Sequence, residues 1–154
     1  MNTGTLLLTF SLFAAWPGAV WADDEHQCSV ATLHGSYGFT TTGTANTPGG
    51  PSHIGGVGLI VYDGRGNFVG KATVNIDGTV LRRTFVGTYT VAADCTGTLS
   101  ETFTDAQDGR ATFDLVIVDD GRETRAVTTP PPGSPNPATL TTIARKQFSG
   151  RSIE

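Results

Sequence analysis

The chain has 154 residues, a formal net charge of −4 and only two cysteines. That length holds one domain. A mildly acidic chain without a basic stripe does not bind nucleic acid by displacing counterions, and anionic membrane surfaces are equally poor partners.

The first 22 residues read as an export signal, leaving 23–154 as the folded domain. Leu6 to Val20 is apolar and uncharged, too short for a comfortable membrane span and the right length for a signal core. Val20-Trp21-Ala22 fits the small-x-small cleavage pattern, so the mature chain is expected to start near Asp23. Met1 to Thr5 lacks the usual Lys or Arg. A buried N-terminal helix is the alternative, opposed by Pro17-Gly18 and by the abrupt change to Asp23-Asp24-Glu25. The expected destination is the periplasm or the medium. No second apolar span follows, so the mature form is expected not to span a membrane.

Cys28 and Cys95 both fall in the exported part, and an even count there predicts a disulfide. Two buried thiols or a metal pair are the alternatives. Neither cysteine has a Cys or His at zinc spacing, and His26 alone makes no site, so no metal or cofactor is expected.

Gln27 to Leu33 is the one helix candidate. Beyond it, Asp-Gly and Gly-rich turns punctuate runs of Val, Ile, Thr, Phe and Tyr, the pattern of hairpins and strands. The predicted strands are Ser36 to Ala45, Gly56 to Asp63, Asn67 to Ile76, Thr79 to Ala92, Thr96 to Thr104, Ala111 to Asp119, Arg122 to Thr128 and Ala138 to Lys146. Asn46 to His53 and Thr129 to Pro137, both rich in Pro and Gly, read as longer loops that rim one end or simply connect strands.

An antiparallel meander of about eight strands hides its edges most simply by closing. The expected fold is therefore all-β, a single antiparallel up-and-down β-barrel, with an open sandwich as the alternative. Alternation puts Tyr37, Phe39, Thr41 and Gly43 on one inward face. The same reading turns Phe68, Gly70, Ala72, Val74 and Ile76 inward, then Leu81, Phe85, Gly87, Tyr89 and Val91, then Gly97, Leu99 and Phe103. Glycines on these faces are expected to make room for a bend or a close approach.

Three segments carry a resemblance: Leu33 to Phe39, Asp63 to Gly70, and Gly87 to Gly97. Together they resemble a family of small exported bacterial proteins of unassigned role. More distantly, the layout resembles the barrels of allene oxide cyclases and dirigent proteins, and remotely lipocalins. The resemblance implies a closed, calycin-like barrel with an apolar lumen. No catalytic residue of those families falls on a matching position, so their activities do not carry over.

Familiar catalytic patterns fail. Asp63-Gly64-Arg65-Gly66-Asn67 has Arg65 at the third position and Val74 at the twelfth, which rules out a calcium loop. No helix follows the glycine runs, so they are not phosphate loops. His26, His34 and His53 are scattered, and no Gly-x-Ser-x-Gly elbow exists.

Two charged residues stand on apolar faces: Arg83 beside Leu81 and Phe85, and Glu101 between Leu99 and Phe103. Such residues are seldom buried without a partner. If Val91 opposes Cys95, Arg83 lies diagonal to Glu101; a shift of two residues places them face to face. Either register predicts an inward ion pair, acting as a polar anchor or as a structural pair. The expected function is binding of a small, largely apolar molecule through Tyr37, Phe39, Arg83, Phe85, Tyr89, Glu101 and Phe103. The alternatives are an isomerase or cyclase using Arg83 and Glu101, and an envelope structural protein with a filled lumen.

Overall fold

A computed structural model describes residues 27–105, 109–134 and 137–147. The expected signal segment, its expected cleavage site and His26 lie outside these residues.

Eight strands follow one another: β1 (His34–Thr47), β2 (Gly50–Asp63), β3 (Asn67–Ile76), β4 (Thr79–Val91), β5 (Thr96–Phe103), β6 (Arg110–Val118), β7 (Glu123–Thr128) and β8 (Ala138–Lys146). Each pairs antiparallel with the next, and β8 pairs back onto β1, so the sheet is a closed barrel. Closure satisfies the hydrogen-bonding edges that an open meander would expose.

The turns follow from their residues. Asp63 Oδ1 accepts hydrogen bonds from the amides of Arg65 (2.7 Å) and Asn67 (2.9 Å), which folds the β2–β3 turn around Gly64 and Gly66. Asp77 and Gly78 both take positive φ, 45° and 92°, at the β3–β4 turn. Aspartate tolerates this conformation and glycine has no Cβ to oppose it.

Two expectations need correction. Asn46 to His53 is not an open loop: β1 runs to Thr47, β2 starts at Gly50, and the Thr47 hydroxyl donates to the Gly50 carbonyl at 2.8 Å. The first residues of β2 pair only with β1, since β3 begins to pair at Ile54. Pro51, which has no amide hydrogen, is tolerated there because nothing asks for one on its other side. The Gln27 to Leu33 helix shrinks to a single 3₁₀ turn at Val30–Thr32, where the Thr32 hydroxyl accepts from the Ser29 amide at 3.0 Å.

Alternation sorts the two faces. The buried core is Leu33, Tyr37, Ile60, Tyr62, Phe68, Phe85, Tyr89, Leu99, Phe113, Leu115, Ile117 and Ala144. Outward positions carry Lys71, Arg82, Asp114, Arg125 and Arg145 together with cross-strand threonine pairs such as Thr90–Thr98, whose hydroxyls are 2.8 Å apart. Exposed apolar residues, among them Val57, Val69, Val116 and Ile143, are interspersed with these on the outer face.

Three inward glycines face phenylalanines across the strands: Gly58 faces Phe39, Gly70 faces Phe85, and Gly87 faces Phe68. In each case the ring occupies the space where a Cβ would stand. At Gly87 a Cβ would also collide with the Ser100 carbonyl oxygen of the neighbouring strand. Gly87→Ala is therefore expected to push strands apart and destabilise the barrel by about 1–3 kcal/mol, the usual range for overpacking. Urea titration of the purified variant reads this directly.

One end of the barrel is shut. The segment before β1 lies across it, and Leu33 and Tyr37 are fully enclosed there. The Tyr37 hydroxyl donates to the Gly121 carbonyl. The Tyr89 hydroxyl lies 2.9 Å from the carbonyl oxygens of both Val30 and Leu33, which ties β4 to the closing segment. Cys28 and Cys95 stand at disulfide distance at this end, with Cα atoms 4.9 Å apart. Outside it, the Glu123 carboxylate accepts from Arg125 Nε (2.8 Å) and Arg145 Nε (2.7 Å), hydrogen bonds that hold its carboxyl below the usual range.

Candidate functional site

Above the closed end the barrel is hollow. The lumen measures about 300 Å³. Ile60, Tyr62, Leu99, Leu115 and Ala144 line it toward the closed end, and Ile54, Ile76, Leu81 and Leu140 line it toward the other. Between them stand Phe39, Phe85, Phe113, Ala72, Ala111 and Ala126. The space exists because alanines and the paired glycines occupy inward positions where larger residues would meet at the axis.

The aromatic rings form a continuous series up the wall. Tyr62 sits edge-on to Tyr37 (5.2 Å between centroids) and to Tyr89 (5.0 Å). The series continues through Phe68 to Phe85 and from Phe85 to Phe103, at 6.2 and 6.3 Å. Edge-to-face stacking of this kind stabilises a wall while keeping it apolar.

Of the residues expected at the site, Phe39, Arg83, Phe85, Glu101 and Phe103 line the lumen. Tyr37 and Tyr89 do not. Their rings pack into the closed end and their hydroxyls are engaged with backbone carbonyls there. Tyr62, Phe113, Leu115 and Thr124 line the lumen although the sequence reading did not single them out. The signal was available: Ile60/Tyr62 and Phe113/Leu115/Ile117 show the same alternation as the strands that were read.

The expected Arg83–Glu101 pair is absent. The register places Val91 opposite Gly97 and Phe85 opposite Phe103, two residues away from the expected pairing. The cause is the β4–β5 turn. Cys95 takes a left-handed φ of 67°, and Asp94 Oδ1 accepts from the Thr96 amide at 3.0 Å. The turn thereby absorbs Ala92 to Cys95, with the Ala92 amide bonded to the Thr96 carbonyl at 2.8 Å. Arg83 instead reaches Asp105, Nη1 to Oδ2 3.5 Å, and lies over the Phe103 ring at 5.7 Å.

Glu101 is left inside the lumen, opposite Gly87 on β4 and Ala111 on β6. It makes no hydrogen bond or ion pair with any described residue. Every fully enclosed side-chain polar atom among the described residues has a partner, so the Glu101 carboxyl opens onto the cavity. Burial pushes its pKa up to about 7. Tyr62, hydrogen-bonded to Thr124, has its hydroxyl pKa raised by burial as well. Near neutrality Glu101 is available both as a hydrogen-bond donor and as a carboxylate. Among the described residues no cluster of three or more His, Cys, Asp or Glu could hold a metal ion.

No family model matches this chain, and no curated protein matches it in sequence. Solved structures do. A redesigned beta barrel aligns with a TM-score of 0.52 at 20% identity, covering 77% of this chain and 95% of that one. A de novo designed fluorescence-activating beta barrel aligns with a TM-score of 0.52 at 11% identity, covering 77% and 96%. Rv2717c from M. tuberculosis aligns with a TM-score of 0.38 at 16% identity, covering 76% and 94%. The two designed proteins share the small eight-stranded barrel fold with this chain.

Proposed function

We propose that this chain is an exported barrel that holds a small, largely apolar molecule in its lumen. The observation that carries the reading is the cavity itself: about 300 Å³, walled largely by aliphatic and aromatic side chains with Arg83, Arg110 and a few threonines among them, shut at one end, with a single carboxyl in its wall. That volume lies at the small end of ligand pockets, and a few polar groups in an apolar wall are what fixes a ligand's orientation. The export half of the proposal rests on the apolar Leu6 to Val20 stretch and on the paired cysteines, since disulfides persist outside the reducing cytosol. A filled-lumen envelope protein has less support, because this lumen has room.

A second reading has one observation in its favour. A carboxyl with a pKa of about 7, reachable from a cavity, suits proton transfer at neutral pH. An isomerase or cyclase acting on an apolar molecule would use Glu101 in this way. It would do so without Arg83, which is engaged by Asp105.

Calorimetric titration with 4-phenylbutanol tests the binding reading. Wild type is expected to bind with a negative heat-capacity change, the mark of apolar burial. Ala126→Phe, which fills the lumen, is expected to keep the β-sheet circular dichroism and lose binding. Undiminished binding by that folded variant, or none by wild type, contradicts the proposal.

A further inference from the structure

We propose that the molecule held in the lumen carries a cationic amine, with its ammonium group seated against Glu101. The inference rests on the binding reading above and adds the chemical class of the ligand.

The surroundings of Glu101 set the argument. Its cross-strand neighbours are Ala111, whose small side chain leaves room on the β6 side of the carboxyl, and Gly87, over which the Phe68 ring is packed on the β4 side. Larger rings stand one step away: Phe103 next along β5, Phe85 diagonal on β4, and Phe113 diagonal on β6. All three line the cavity. A lone carboxyl among aromatic rings is complementary to an ammonium, which a carboxylate attracts and the negative face of an aromatic ring also attracts. A carbonyl or carboxylate oxygen gains nothing from those ring faces, and a carboxylate ligand would also meet the charge of Glu101.

Two arginines, Arg83 and Arg110, line the cavity, but among the described residues neither pairs with Glu101. On β4, Arg83 is drawn away by Asp105 and Phe103. On β6, Arg110 also lines the cavity, but it opposes Thr102 and makes no ion pair with Glu101. The remaining titratable groups near the cavity are tyrosines. Tyr37 and Tyr89 are engaged at the closed end, and Tyr62 is bonded to Thr124. The residues by which β3, β7 and β8 line the lumen include no titratable side chain. A ligand ammonium would therefore offset a buried charge that nothing else nearby offsets. The net charge of −4 favours the approach of cations to the molecule as a whole.

Three probes of one shape test this: 4-phenylbutylamine, 4-phenylbutanol and 4-phenylbutyrate, titrated calorimetrically into the full chain at pH 8. The amine is expected to bind at least about tenfold tighter than the alcohol, the advantage of a charge-assisted over a neutral hydrogen bond. The acid should bind more weakly than either. Glu101→Gln is expected to bring the amine's affinity down to that of the alcohol. Lowering the pH to 5, where the amine is still charged and Glu101 takes up a proton, should narrow the amine's advantage in wild type. If the alcohol binds wild type as well as the amine does, the amine proposal is overturned and the lumen reading stands. An amine advantage that survives Glu101→Gln overturns it too. If none of the three binds, the lumen reading falls and takes this one with it.

Discussion

Reduction of the Cys28–Cys95 bond is expected to lower the stability of the barrel by about 4 kcal/mol, the chain-entropy value for a loop of this length. The two residues are 67 apart in sequence, so the bond spans β1 to β4 and strongly restricts the unfolded chain. It also acts on the folded state. The Cys28 amide donates to the Ala93 carbonyl at 3.1 Å, and the next residues carry the carbonyls that receive the Tyr89 hydroxyl. Loss of the bond thus loosens the segment that closes one end of the barrel. Urea unfolding with and without dithiothreitol, and of the Cys28→Ser/Cys95→Ser variant, measures the effect. Equal midpoints under both conditions, or two thiols that alkylate freely in the native oxidised protein, would contradict it.

The second large effect is a pH dependence with an unusual sign. The Glu101 carboxyl has a pKa of about 7 in the folded barrel against an ordinary value of 4.5. The folded state therefore binds this proton more tightly than the unfolded chain does. Stability attributable to Glu101 is fully present below pH 4.5 and falls as pH rises through 7. The loss by pH 8 is up to about 3 kcal/mol at 1.36 kcal/mol per unit of pKa. Glu101→Gln removes the ionisation, so this variant is expected to be more stable than wild type at pH 8 and similar to it at pH 4. An inward Arg83–Glu101 pair would give the opposite result, a loss of about 3–5 kcal/mol on removing one partner. On the acid side the signs reverse. Asp63, Asp77 and Asp94 are held below their usual range by hydrogen bonds, and their contributions fade as pH drops. Wild-type stability should pass through a maximum between these two limbs, and the alkaline limb alone should vanish in the Gln variant.

The strands were legible because two independent signals agreed along most of the chain. Asp-Gly dipeptides marked the turns, and alternation marked the faces between them. β3 and β8 begin and end where the sequence places them, and closure followed from the cost of leaving edges unpaired. The β4–β5 register was not legible. It depends on Cys95 adopting a left-handed conformation that a cysteine rarely takes, which nothing in its residue type announces. That one turn moved the partner of Arg83 from Glu101 to Asp105. Parity still put Glu101 on the inner face, because a two-residue shift leaves every side chain on its own side. The roles of Tyr37 and Tyr89 were hidden for another reason. Their hydroxyls bond to carbonyls of Gly121, Val30 and Leu33, contacts made only once the closing segment is in place.

Amide chemical shifts of the isotopically labelled protein during titration with 4-phenylbutanol test the central claim most directly. A molecule held in the lumen should move the resonances of inward positions, Phe39, Phe85, Glu101, Phe113 and Ala126, and leave those of Val57, Val69, Val116 and Ile143 on the outer face in place. Shifts confined to those exposed outer residues, or no shifts at all, would contradict the account.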